Sequence, residues 1–502
     1  MRVTVSDSNM FVGKVDISTI KFDPKSRDDI PQILKGLQHI YTNLSIREEV
    51  FKLLEKYILP EINKNNGRPG MDLWKIFVIG VLRLDLNLDY DRLHYEINNQ
   101  KQIRQMLGHP DFYDDYYYHM QTIKDNVGLL TPELLDEINQ VVVKAGHVIL
   151  KKKGKDLLHG RCDSFVVETD VHFPTDINLL FDALRKVITL TGRLCEQYDL
   201  SDWRQYRYNI RQVKKLMRQA QNKKRVQARN EAKKEKREEE IVQAHKEYIE
   251  VAQCYLVKAS STLDVLEKQS LNSMSDILLI DSIKDYINHG RRQIDQINRR
   301  VILGEIIPHE EKVFSIFEPH TEWISKGKAG VLVELGVKVC VVEDQYQFIL
   351  HHEVVEKKSD EEMAVSITQG AKKRFEKFSS CSYDKGFHSP KNQVELSTLL
   401  DNVVLPRKGR LSKEAKEIEM AVEFRKAKRK HSAVESAINA LEIHGLDRCP
   451  DHGIKNFKTY VALAVVARNI QRLGAVLKQK EQKQEERKKR KIEKSQQKIV
   501  WH

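Results

Sequence analysis

Cysteine is scarce in this sequence and badly spaced for chemistry. The 502 residues hold six, Cys162, Cys195, Cys254, Cys340, Cys381 and Cys449, with no CxxC pair among them. That scatter excludes a disulfide framework, and Cys449 with His452 lacks the second ligand pair of a zinc site. Long apolar runs are missing too. The most apolar stretches, Lys75 to Leu84 and Tyr460 to Ala467, are too short to cross a bilayer. The opening MRVTVSDSNMFVGKVDIS has no apolar core of the secretory-signal kind. Together these absences predict a soluble protein of a reducing compartment with no membrane partner.

Charge is present in excess. Charged residues make up 31% of the chain, and 85 Lys and Arg against 72 Asp and Glu leave a formal +13 at pH 7. About a quarter is usual. A positive surplus favours a polyanionic partner, because each neutralised phosphate releases condensed counterions. The 40% hydrophobic content can bury real cores, and the length suits about two to four domains.

Residues 1–155 read as an N-terminal helical domain for DNA binding or dimerisation. Leu73, Phe77, Val78, Val81 and Leu82 recur at helical spacing, with Asp72 placed to cap that helix. Asp89 precedes a second short helix, Tyr90 to Ile97. Two helices across a polar turn outline a helix-turn-helix, and equally a plain packing or dimerisation domain. The aromatic cluster FYDDYYYHM at 112–120 reads as a linker.

Residues 160–475 change character. SFVVETDV, from Ser164, is a β-branched run that reads as the first strand. Strand signal then vanishes over about 177–305, an all-α insertion. Within it, residues 211–251 contain no proline or glycine and read as one continuous helix. Strands return at VFSIF (313–317) and in the hairpin GVKVCVVE and QYQFILHHEVV. A helix opens at Ser359 with Glu362 three residues on, a capping-box pattern. The strand SSCSYD, the loop KGFHSPKN, a short helix and the strand NVVLP follow. Ser412 to about Ile443 reads as helix, FKTYVALAVVARNIQRLGAVL as a last apolar helix, and 476–502 as a solvated basic tail.

Acids fall at telling points in that order. Asp170 ends the first strand, Asp384 ends the strand after the capping-box helix, and Glu435 lies on a helix after the last strand. If the first and fourth strands are parallel neighbours, their carboxyl ends bring Asp170 and Asp384 together where open α/β sheets bind ligands. Three gathered carboxylates repel, so they imply a cation. Oxygen ligands select magnesium, with manganese as its substitute. Two such ions clamp an in-line phosphoryl displacement. Glu168 shares the strand face of Asp170 and is the nearest replacement for it. Asp163 precedes the strand and reads as solvated, and Asp176 reads as a helix cap.

These residues resemble a known family. VVETDVHFPTD, SYDKGFHSPKN, FRKAKRKHSAVESAINALEIHGLDRC and YVALAVVARNIQRL are similar, in order, to the motifs of DDE-superfamily insertion-sequence transposases. The likeness is greatest to the prokaryotic group outside the named insertion-sequence families. It implies an α/β fold, a ribonuclease-H-like mixed sheet with flanking helices, interrupted by the all-α insertion after the first strand. It also implies Asp170, Asp384 and Glu435 as catalytic and metal ligands to two magnesium ions. The expected activity is cleavage of DNA at element ends and strand transfer by a homodimer or higher multimer, in the prokaryotic cytoplasm and at the nucleoid when DNA-bound. Lys385, His388, Lys428, Arg429 and His431 are the expected DNA contacts. The family's tyrosine, arginine and lysine offsets around the glutamate fall here on Lys428, His431 and Glu442, so a hairpin step leaning on them is in doubt. A nuclease of the same fold and a non-enzymatic DNA-binding protein are the competing readings.

Overall fold

The computed structural model describes Thr4 and residues 15–23, 25–59, 70–112, 114–150, 157–225, 231–268, 273–325 and 332–499. The N-terminal stretch tested for a signal therefore lies outside the described residues apart from Thr4 and residues 15–18. Two compact bodies divide the chain, Met1–Asp170 with Ile324–His502, and Val171–Trp323.

The first body is built on a mixed sheet. Its strands are β1 (Leu158–Thr169), β2 (Glu322–Ser325), β3 (Val333–Asp344), β4 (Ile349–Val355), β5 (Phe378–Tyr383), β6 (Asn402–Val404) and β7 (Arg448–Cys449). The order is β2-β3-β1-β5-β6, with β4 also on β3 and β7 on β1. β3 lies antiparallel to β1 and to β4, while β5 lies parallel to β1 and to β6. This is the mixed α/β class expected, with the first strand parallel to the one after the capping-box helix.

β1 begins at Leu158, six residues before the expected start at Ser164. Its first half, LHGRC, has little β-branched character, yet β3 and β5 pair with it on both sides. Satisfying both backbone edges outweighs local propensity. VFSIF forms no strand; residues 313–317 are irregular and belong to the second body. The capping box is present as read, with Ser359 and Glu362 exchanging hydrogen bonds. The Ser412–Ile443 stretch is broken into helices Lys413–Met420, Val422–His431 and Ala433–Leu441.

Helices Asp29–Thr42, Leu73–Asp85 and Pro132–Leu150 pack on the C-terminal helix Ile454–Ile499. One core runs through these helices and the sheet, from Ile17 through Phe77, Val142, Val167, Val341 and Phe378 to Leu473. The boundary expected near residue 155 is therefore no break between cores. Leu73–Asp85 is buried along its length, apart from half-buried Lys75, as a helix apolar all round must be. Asp72 makes no side-chain cap bond and pairs instead with Lys75 at 3.5 Å. The next helix, Tyr90–Asn99, turns Asp91, Arg92 and Tyr95 outward, which is no basic recognition face.

The basic tail continues the last helix to Ile499. Among the described residues one helix, over Ile454–Arg490, is long and apolar enough to cross a membrane, against the expectation of too short an apolar run; 78% of its apolar window is buried inside the fold.

The second body has its own core, formed by Leu180, Leu184, Trp203, Tyr248, Leu256 and Ile283. These come from helices Asp176–Gln197, Tyr206–Arg225, Glu231–Glu267 and Met274–Ile297. The stretch expected as one helix over 211–251 includes residues 226–230, which lie outside the described residues; on either side of them Tyr206–Arg225 and Glu231–Glu267 pack side by side, with Lys223 and Glu240 2.6 Å apart. Its apolar residues fold onto one another rather than onto solvent. Thr175, not Asp176, caps the first of these helices, accepting from the Asn178 N–H at 3.2 Å. Both ends of this body meet, with the Phe173 and Trp323 rings 5.5 Å apart.

Candidate active site

The parallel pairing of β1 and β5 sets Cys162 level with Tyr383. One residue further along each strand stand Asp163 and Asp384. The level is held from below: the Tyr383 hydroxyl bonds Thr368 Oγ1 at 2.6 Å, tying the end of β5 to the helix Asp360–Arg374. Phe387 is buried and its N–H donates to the Asp384 carbonyl at 3.2 Å. Asn392 then clamps the loop by donating to the carbonyls of Phe387 (2.8 Å) and Glu361 (2.7 Å).

Asp360 opens the neighbouring helix and joins the same neighbourhood. Its carboxylate accepts from Ser164 Oγ at 2.8 Å and pairs with Lys338 at 3.0 Å. Gly386 passes so close that an added Cβ would lie 3.1 Å from Asp360 Oδ2, which explains the glycine after Asp384. The third acid arrives on helices. Val422–His431 packs on β5 and β6, and Ala433–Leu441 packs on β1. Glu435 sits on the exposed side of the second.

Electrostatics report that these groups feel one another. The Asp163 carboxyl is pushed up to about 6, first by burial and then by the charges of Asp384, Asp360 and Glu435, against a bond from the Ser164 N–H. His431 is held below the usual imidazole range by burial and by Arg161, against the pull of Asp384 and Glu435. Its Nδ1 lies 3.1 Å from Ser382 Oγ.

Asp170 stands elsewhere. At about 3.3 Å per strand residue, the seven positions beyond Asp163 carry it roughly 23 Å along the chain. There it is half exposed and ion-paired with Arg448 of β7. The expected pairing of Asp170 with Asp384 is corrected: because β1 starts at Leu158, the residue level with the end of β5 is Asp163. Asp163 is a mid-strand, partly buried residue, not the solvated one the sequence suggested. Glu168 pairs in register with Gly336 and Arg448, away from Asp384.

The expected DNA contacts divide. Lys385 is exposed on the turn after Asp384. His388 accepts from the Lys408 N–H at 3.4 Å, and burial with Arg407 and Lys408 holds it below the usual range. Lys428 and Arg429 line an open cavity of about 480 Å³ with Lys416 and Arg425, whereas His431 turns inward to β5. Arg161, Ser382 and Asp360 were missed by sequence reasoning, and Asp163 was read as solvated. Their only signal is the register between β1, β3 and β5.

The donors suit a hard divalent cation, since all are carboxylate oxygens and the raised Asp163 marks a crowding that positive charge relieves. Among the described residues, no three acid, histidine or cysteine side chains are gathered as a ready metal-holding group. Compared with protein-family models, with curated proteins and with solved structures, the chain matches none.

Proposed function

We propose that the chain is a DNA transposase of the DDE type, acting through Asp163, Asp384 and Glu435. The observation that carries this is the parallel β1–β5 pair, which levels two aspartates beside a glutamate helix packed on β1. The first strand lying parallel beside the strand after the capping-box helix also supports a ribonuclease-H-like sheet. The same motif order that resembles the insertion-sequence transposases is retained, with Asp163 replacing Asp170 in the first position.

The reaction proposed is attack of water on a DNA phosphodiester to free a 3′-hydroxyl, then attack of that hydroxyl on a target strand. Each step forms one phosphorus–oxygen bond and breaks one. Asp163, Asp384 and Glu435 would hold two magnesium ions, which supply activation of the entering oxygen and stabilisation of the leaving one. Lys385, Lys428 and Arg429 would hold DNA phosphates. His431 would brace the Ser382 end of β5. Double-stranded DNA, as element end and target, and a homodimer or higher multimer are the partners that follow.

The test is transfer of a labelled element end into plasmid DNA with magnesium. Joined product should be lost in Asp163→Asn and Asp384→Asn, with DNA binding retained, and kept in Asp170→Asn. Nicking without joining would assign a nuclease of the same fold. Joining that survives in Asp163→Asn would overturn the acid assignment.

A further inference from the structure

The second body holds a cavity of about 620 Å³ that phosphoryl transfer leaves unused. One wall is aromatic. The Trp323 ring lies 5.5 Å from Phe173 and 5.7 Å from Phe314, and none of the three is fully buried. Asn178 and Gln221, hydrogen-bonded to each other, present amide groups to the same space. Two cations reach it. Arg300 is engaged by Asp176 at 2.7 Å, whereas Lys312 has no ion pair among the described residues and can meet an anion from outside.

We propose that this cavity takes a single nucleotide, with its base on the Trp323 wall and its phosphate on Lys312. The volume lies in the range that holds small ligands, about 300–1,000 Å³. An aromatic wall accepts the flat face of any base. Side-chain amides offer both a donor and an acceptor to a base edge. A cation at the mouth suits one phosphate. An aliphatic ligand would leave Lys312 without a partner, and a bare anion would leave the rings without one. A free mononucleotide and a nucleotide within a single DNA strand share this chemistry. The inference does not rest on the acid cluster.

Tryptophan fluorescence of the full chain, titrated with deoxyadenosine monophosphate, a single-stranded oligonucleotide, and the same strand without bases, tests it. Quenching by the mononucleotide assigns a free ligand; quenching by the intact strand alone assigns a DNA nucleotide. In either case Lys312→Gln should weaken the response about five- to tenfold, and Trp323→Phe should remove most of the quench. Folding of both variants is checked by circular dichroism, and Asp384→Asn should quench as the wild type does, separating this site from strand transfer. No quench with either nucleotide form, equal quench by the base-free strand, or quench unchanged in Trp323→Phe and Lys312→Gln overturns the proposal.

Discussion

Asp163 and Asp170 lie on one short length of chain in opposite circumstances. The first is crowded by three other carboxylates and pushed up to about 6; the second is exposed and paired with Arg448. A raised carboxyl favours the folded protein only while protonated, so the contribution of Asp163 to stability should be lost as pH rises from about 4 to 6 and stay absent above. In metal-free buffer Asp163→Asn should therefore melt higher than wild type at pH 8, by on the order of 1–3 kcal/mol, and equally at pH 4. Thermal melts at the two pH values check this, and a variant that loses stability at pH 8 would contradict the crowding. Asp170→Asn removes a surface ion pair worth about 0–1 kcal/mol and should change neither melting nor strand transfer appreciably.

Elements carry two further expectations. In the 109–118 segment, His109 touches the Tyr118 hydroxyl at 2.6 Å and Asp114 at 3.2 Å. Burial, helped by Lys75, lowers it from 6.5 to about 4. The unfolded chain then binds this proton first, so the contribution of His109 to stability should fall between pH 6.5 and 4 and level off below, opposite in sign to that of Asp163. The slope is worth on the order of 2–3 kcal/mol, and it should flatten in His109→Gln when unfolding by urea is followed across that range. The second concerns the crossing of helices Asp29–Thr42 and Ile454–Ile499. A Cβ on Gly474 would lie 2.0 Å from the Gln32 carbonyl, a backbone atom with no rotamer to change. Gly474→Ala should cost about 1–3 kcal/mol or more, read as a lowered melting temperature.

The same scale explains what was legible in advance. The capping-box helix, the β3–β4 hairpin and the strand before Asp384 were all readable, because each is written in local pattern and cap chemistry. The start of β1 was not, because HGRCD becomes strand only when β3 and β5 arrive from more than 170 residues away in sequence. That single boundary moved the first acid from Asp170 to Asp163. The side-by-side packing of Tyr206–Arg225 and Glu231–Glu267 was hidden for a related reason: charged, proline-free sequence permits a straight helix, and burial of Tyr248 and Leu256 in one core with Leu180 and Leu184 decides otherwise.

At the scale of the molecule, the second body has a core of its own and ends that touch through Phe173 and Trp323. Domains inserted into another domain have this anatomy. A fragment of residues 171–323 should fold alone into a cooperatively melting helical protein by circular dichroism; a fragment without a cooperative transition would show that its core is incomplete. The first body is different in kind. Three of its N-terminal helices, Asp29–Thr42, Leu73–Asp85 and Pro132–Leu150, pack on the helix from Ile454, which lies far later in the sequence. At about 5–20 residues per second of synthesis, the apolar helix Leu73–Asp85 is made roughly 20–80 s before its partner emerges. Until then its apolar surface lacks that partner and is prone to aggregate. A chain cut short before the helix from Ile454 should then yield material for proteolysis rather than a partly working protein.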